Sequence, residues 1–317
     1  MLTSLIWTDV QRVSVMSVIR DLRITTLADN LVMTRCLGQW GLSLLLEFLD
    51  ANGEHRKVVF DTGLHKESLL YNIKQLEVNL SDVDCVVISH GHHDHTAATV
   101  EVVEASAGPK VYAHPHTFLP RFYEDRTGKR RQHGVPKDEG LDEIEKAGGQ
   151  VLLTPDPTQI VPGVWTTGQI ERSTSFEYPL PLSKEERSII IVDGEESEDW
   201  ILDDQALWMN VERIGVFVTT GCAHAGLVNT LLQIRKLVPS QPIYGLVGGT
   251  HLVGRSEEYL QQTINALKEL SLDLLSPCHC TGFKAMSRLY QEFPESFLLN
   301  FSGRVIEPEK KPRSRLI

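Results

Sequence analysis

Four times in this chain a histidine-bearing segment follows directly on a short apolar run. Ile88-Ser89-His90-Gly91-His92-His93-Asp94-His95-Thr96 closes the run 85–88, and Thr219-Thr220-Gly221-Cys222-Ala223-His224-Ala225-Gly226 closes 214–219. Gly248-Gly249-Thr250-His251-Leu252 follows 243–247, and Ser276-Pro277-Cys278-His279-Cys280-Thr281-Gly282 follows 272–275. The runs are rich in β-branched residues and read as buried strands. The C-terminal ends of such strands are where α/β folds place ligand sites. Scattered surface histidines would not fall so regularly.

The rest of the chain fits that frame. Further strands are predicted at 24–27, 42–49, 57–60, 110–113, 151–153 and 164–167, with Asn52-Gly53 as a hairpin turn. Helical patterns cover 66–77, 96–105, 141–147, 226–237, 256–270 and 283–293. In the fifth of these, Ser256 precedes Glu257 and Glu258, acids suited to a helix start. The alternation predicts an α/β fold. Segments 121–140 and 171–198 are polar and read as excursions from the core that cover a substrate. Arg121, Arg126, Lys129, Arg130 and Arg131 offer charge for an anion there, or a solvated face. The expected organisation is an N-terminal arm at 1–20, one domain at 21–306 and a flexible tail at 307–317.

The formal net charge of -11 disfavours non-specific nucleic-acid binding, which needs cations to displace counterions. No stretch nears the roughly 18 apolar residues of a membrane span, and no cleavable leader is read. Five cysteines, an odd number at irregular spacing, argue against a disulfide framework and for a reduced, cytoplasmic chain.

The chemistry gathers on the histidines. His90 and His92, two apart on an extended turn, are placed to face one metal. Asp94 and His95, where a helix begins, are placed to face a second. Imidazole and carboxylate donors suit zinc, and also iron or manganese. Asp61, in Phe60-Asp61-Thr62-Gly63, either accepts a hydrogen bond from a ligating histidine or makes a simple turn. His224 and His279 are candidate ligands. His251 is a candidate ligand or general acid, or has a structural role. His55, His65, His116 and His133 lie in polar segments and are assigned no role, and His114 is a candidate pocket border.

These motifs, with TTLADN (25–30), WGLSLLLE (40–47), FDTG (60–63) and CHCTG (278–282), resemble the metallo-β-lactamase superfamily over about residues 21–306. They are most similar to its subfamily of archaeal dihydropterin–ribofuranosylaminobenzene phosphate synthases. The resemblance implies an αββα four-layer sandwich with a dinuclear site at one edge. His90, His92 and His224 would serve one ion, and Asp94, His95 and His279 the other. Asp94 would also orient a nucleophile, and a small, anionic, phosphorylated substrate is the expected class. Typical members carry a separate bridging aspartate. Here Gly221-Cys222-Ala223-His224 stands in its place, leaving open whether His224 or Cys222 fills it. Three functions follow as expectations: a metal-dependent hydrolase, a pterin-type synthase, or a non-enzymatic metal-binding or redox protein.

Overall fold

The computed structural model describes residues 17–179 and 185–310. Strands β1 (Val18–Ala28), β2 (Ser43–Leu49) and β3 (His55–Phe60) form an antiparallel meander. Helix α1 (Lys66–Gln75) leads to β4 (Cys85–Val87), and the single turn α2 (His93–Thr96) with α3 (Thr99–Ala105) leads to β5 (Lys110–Ala113). A hairpin of β6 (Arg121–Glu124) and β7 (Arg130–Gln132) precedes α4 (Leu141–Lys146) and β8 (Gln150–Leu153). Two more hairpins follow, β9 (Gln159–Val161) with β10 (Val164–Thr166), and β11 (Arg187–Val192) with β12 (Glu195–Glu198). Then come β13 (Ala206–Val211), β14 (Gly215–Thr220), α5 (Leu227–Leu237), β15 (Ile243–Gly249), α6 (Glu257–Leu270), β16 (Leu274–Cys278), α7 (Phe283–Glu292) and β17 (Val305–Ile306).

The main strands run in the order β16-β15-β14-β13-β1-β2-β3-β4-β5-β8. β1 joins the two halves. Val18 and Ile19 pair with β13, and from Arg20 onward the strand pairs with β2. The register shifts between Arg20 and Arg23, where Asp21 has φ 54°. Such a bulge bends a strand, and here the bend carries the chain from one sheet into the other.

Three apolar clusters show the layers. Leu44, Leu46, Val58 and Phe60 of one half meet Leu207, Met209, Phe217 and Val247 of the other, so the sheets pack face to face. The alternate residues turn outward, as the two-residue period of a strand requires. Leu45, Val59 and Val86 pack on α1, α3 and α4 through Leu69, Ile73, Val102, Val103 and Ile144. Trp208, Val216 and Val218 pack on α5, α6 and α7 through Leu231, Ile264 and Leu289. The result is the αββα sandwich.

All six predicted helices are present, and Ser256 caps α6 by accepting a hydrogen bond from the Tyr259 amide at 3.2 Å. The Asn52-Gly53 turn joins β2 to β3, with the Asp50 carboxylate accepting from the amides of Asn52 and Glu54. Residues 1–16 of the expected arm and 311–317 of the expected tail lie outside the described residues. Residues 18–20 already belong to β1, and the Leu22 amide donates to Glu309 at 2.9 Å. The two polar segments are not separate loops. They pair across the chain into a second sheet, β12-β11-β6-β7.

That pairing corrects the role expected for Arg121. Arg121 is 1% exposed and bonded to Asp199 and Asp203. Arg126 faces Glu186, Arg130 faces Glu124 and Glu196, and Arg131 faces Asp125. Arg121 is therefore a buried structural cation and not a free group for an anion, whereas the side chains of Arg126 and Arg131 stay 66% exposed.

Candidate metal centre

The parallel strands of both halves deliver their C-terminal ends to one edge. Asp61 follows β3, Ser89 to His95 follow β4, Cys222 and His224 follow β14, His251 follows β15 and His279 follows β16. Four of these ends turn through the left-handed region at non-glycine residues: Asp61 (φ 60°), Ala223 (57°), His251 (46°) and His279 (51°). Each such residue costs about 1–3 kcal/mol and persists where surrounding structure over-determines it. Close packing does so here. A Cβ on Gly221 would lie 2.0 Å from Ser89 Oγ, and one on Gly249 would lie 2.2 Å from the Gly221 carbonyl.

Two groups of donor atoms form where these ends meet. His90, Cys222 and His224 make one, and His95, Cys222 and His279 the other, with the donor atoms of each within 4.8 Å of one another. Cys222 belongs to both. The His92 ring stands 4.6 Å from that of His90 and 4.8 Å from that of His224, so it completes the first group. Asp94 Oδ2 lies 3.4 Å from His279 Nε2 and 3.9 Å from His95 Nε2, beside the second.

Hydrogen bonds behind the rings set the tautomers. His95 Nδ1 donates to Asp61 Oδ2 at 2.6 Å. Ser89 Oγ donates to the same oxygen at 2.7 Å, and so is free to accept from His90 Nδ1 at 2.9 Å. His279 Nδ1 donates to Asn30 Oδ1 at 3.1 Å, while the Asn30 amide donates to the His279 carbonyl. Asp61 is therefore behind the cluster, and one carboxylate orients a histidine of each group. With their Nδ1 atoms donating, His95 and His279 turn Nε2 lone pairs towards each other at 3.2 Å. Two lone pairs so placed repel unless a cation or proton sits between them. His92 Nε2 and His224 Nε2 are buried with no hydrogen-bond partner. Both facts fit a metal-binding donor set, since a ligating histidine typically anchors one nitrogen and offers the other.

Electrostatics point the same way. Burial, then neighbouring histidines, holds His90, His92 and His224 well below the ordinary imidazole pKa, so they are neutral ligands at pH 7. Burial also depresses His95, but Asp61 and Asp94 outweigh it and its pKa is raised. Burial would raise Asp94, yet His95 and His279 hold it ionised. Burial pushes the Cys222 thiol well up, with Cys280 beside it adding to the effect. His251 lies with its ring 4.1 Å from that of His224, its Nδ1 buried and unpartnered. Burial brings its pKa to about 4, so at pH 7 it is a neutral imidazole rather than a charged acid.

Several residues here were not singled out from the sequence. His133 packs 4.4 Å from His92, ring to ring. Asp203 accepts from the Gly91 amide at 2.7 Å while bonded to Arg121, which ties the His90–His92 turn to the second sheet. Asp204 accepts from the Ala225 amide behind His224, and burial raises its pKa to about 7. Both aspartates precede β13, which runs antiparallel to β14 and so starts at the same edge. Arg172 donates to the His224 carbonyl and Arg255 to the His251 carbonyl. His114, tied to Gln169 at 3.3 Å, is outside the donor groups.

Comparison with known proteins agrees with this geometry. The profile of the family described as the metallo-beta-lactamase superfamily matches residues 41–168. The 7,8-dihydropterin-6-methyl-4-(β-D-ribofuranosyl)-aminobenzene-5'-phosphate synthase of Methanocaldococcus jannaschii is 30% identical over 294 residues, covering 90% of this chain and 97% of that protein. Among solved structures, Tm1679, a metal-dependent hydrolase of the β-lactamase superfamily, superposes with a TM-score of 0.74 at 25% identity, over 90% of this chain and 98% of that one. The metallo-β-lactamase fold protein YhfI from Bacillus subtilis matches with a TM-score of 0.50 at 14% identity, over 90% and 98% of the two chains. That last likeness is one of fold alone.

Proposed function

Because the chain belongs to the metallo-β-lactamase superfamily, we propose that it is a metal-dependent enzyme with a dinuclear centre, acting as a hydrolase on a small phosphorylated substrate. The observation that carries this is the pair of donor groups sharing Cys222, with imidazole lone pairs turned towards each other. His90, His92 and His224 would hold one ion and Asp94, His95 and His279 the other, with Cys222 in the shared place. Zinc suits this nitrogen, sulfur and oxygen set, as does iron or manganese less closely. Bound divalent ions supply Lewis acidity towards a phosphoryl or carbonyl oxygen and lower the pKa of water.

The protein's own groups do the rest. Asp94, ionised, is placed to accept a proton from an attacking hydroxyl. His251, neutral, donates a hydrogen bond to a leaving oxygen. Arg172 and Arg255 have no carboxylate partner among the described residues, and each is anchored through a backbone carbonyl of the cluster. Burial lowers both guanidinium pKa values, yet they stay charged at any physiological pH. Unpaired, half-buried arginines beside the donors are suited to a phosphate.

A second reading has its own support. The archaeal relative is a synthase, and the identity extends over nearly its whole length. In that case the same arginines would hold a departing pyrophosphate. The first test is elemental mass spectrometry on purified protein beside His92→Ala. About two ions per chain, reduced in the variant, is the expected result. Phosphodiester hydrolysis is then compared with pyrophosphate release from a pterin diphosphate plus an arylamine. Release that needs both substrates selects the synthase, and full activity in metal-stripped protein overturns both.

A further inference from the structure

Leu31, Met33, Trp40, Val253, Phe283 and Tyr290 are large apolar side chains left exposed, and all six line one cavity of about 720 Å³. Phe283 is 89% exposed and Trp40 52%. Apolar patches gathered in this way mark a binding surface. The cavity borders the candidate metal centre at His279, which lines it and whose ring stands 5.6 Å from the Trp40 ring.

The backbone that carries the aromatic walls is held in place. Trp40 sits on a short loop fastened on both sides. The buried Gln39 accepts from the amides of Leu64 and His65 at 2.7 Å each, and the Leu42 amide donates to the Asp94 carbonyl. A Cβ on Gly41 would lie 2.8 Å from that carbonyl, so the loop rests directly on a donor segment. Opposite, Phe283 is the first residue of α7, and Gly282 before it (φ 75°) packs against Val253. An indole and a phenyl carried on anchored backbone have only two side-chain torsions each to order on binding, and offer faces and edges to a flat ring.

From this juxtaposition we infer that the cavity is the subsite for a planar aryl group of the substrate, whose phosphate lies at the donor cluster. The volume falls in the range of small-molecule pockets, roughly 300–1,000 Å³, and a fused two-ring system fits within it. The aryl group makes no bond and breaks none. It positions the phosphate, and it selects aromatic phosphates over aliphatic ones.

The place of the phosphate rests on the metal-centre reading, so the test separates the two. Metal-loaded protein is titrated calorimetrically with 1-naphthyl phosphate and with glycerol 1-phosphate. The expected result is about tenfold or greater preference for the naphthyl compound, from ring burial and stacking. Trp40→Ala combined with Phe283→Ala should bring the two within about twofold without changing metal content. Both side chains are exposed, so the variant keeps its core. Equal affinity for the two phosphates in a chain that takes up metal overturns the aryl subsite and leaves the metal centre standing. Metal-stripped protein is titrated in parallel with 2-naphthol, which carries no phosphate. Naphthol binding that the double variant abolishes, in a chain that takes up no metal, upholds the subsite and overturns the metal centre.

Discussion

Asp61 shows how much one side chain can set. Its Oδ1 accepts from the Ser89 amide, and its Oδ2 from Ser89 Oγ and His95 Nδ1. Through them it fixes His95 directly and His90 by way of the serine hydroxyl. It is fully buried, and its positive φ aims the carboxylate back under the loop after β4. Asp61→Asn keeps the size but surrenders one acceptor and the negative charge. Metal affinity should fall about 10–100-fold, as when other orienting partners of metal-bound histidines are removed. Chelator competition measures this, with circular dichroism to confirm the fold. An unchanged affinity would remove Asp61 from the site. The companion glycines matter for the opposite reason, because at Gly221 there is no room for a methyl beside Ser89.

At the scale of elements, the second sheet is what joins surface to site. Arg121 leaves β6 for the interior and binds Asp199 and Asp203, and Asp203 holds the Gly91 amide. Arg121→Met would leave two buried carboxylates without their cation. A loss of about 3–5 kcal/mol is expected in urea denaturation, and adding Asp203→Asn should return part of it. A loss under about 1 kcal/mol would mean that water reaches the pair. The same sheet marks the limit of what could be read in advance. Strands such as β3, β4 and β15 were legible because burial selects β-branched runs, and the donor segments because they close those runs. β6, β7 and β12 carry charge instead, and Arg130 reaches Glu196, 66 residues away, as well as Glu124 in its own hairpin, whereas the Ile189–Val192 run of β11 is apolar and was hidden only by the polar residues around it. β13 is buried on both faces, so Ala206–Val211 shows no alternation to separate it from a helix fragment. Missing it also hid Asp203 and Asp204, whose place at the site depends on β13 running against β14. His133, Arg172 and Arg255 reach the cluster through long-range packing, which no local pattern announces.

For the whole molecule, the cluster acts as a clasp between the sheets. Asp61, His90, His92, Asp94 and His95 come from the half containing β3 and β4, and Cys222, His224, His251 and His279 from the half containing β14 to β16. A metal bound there would tie the halves together, and its binding free energy would add to folding stability. Proton linkage then gives a test on the entire chain. In the metal-free fold Cys222 is a thiol at neutral pH, since burial lifts it well above its ordinary value. A raised folded pKa contributes stability below the unfolded pKa of about 8.5, lost only as pH rises through the folded value. Between pH 6 and 8 that group therefore leaves the stability of the metal-free chain unchanged. If Cys222 holds the shared place proposed for it, ligation requires its thiolate, and each binding event would release the Cys222 proton in that window. His90, His92 and His224 are already neutral there and release none, whereas His95, with its raised pKa, adds to the release at the acidic end. The extra stability conferred by a fixed excess of zinc should accordingly grow by at least about 1.4 kcal/mol per pH unit, one proton's worth. Denaturant melts of loaded and stripped protein at pH 6, 7 and 8 measure that increment. Cys222→Ser should flatten it towards pH 8, where only the thiol remains to be ionised. An increment independent of pH in the unaltered chain would show that the shared place between the two donor groups is not held by sulfur.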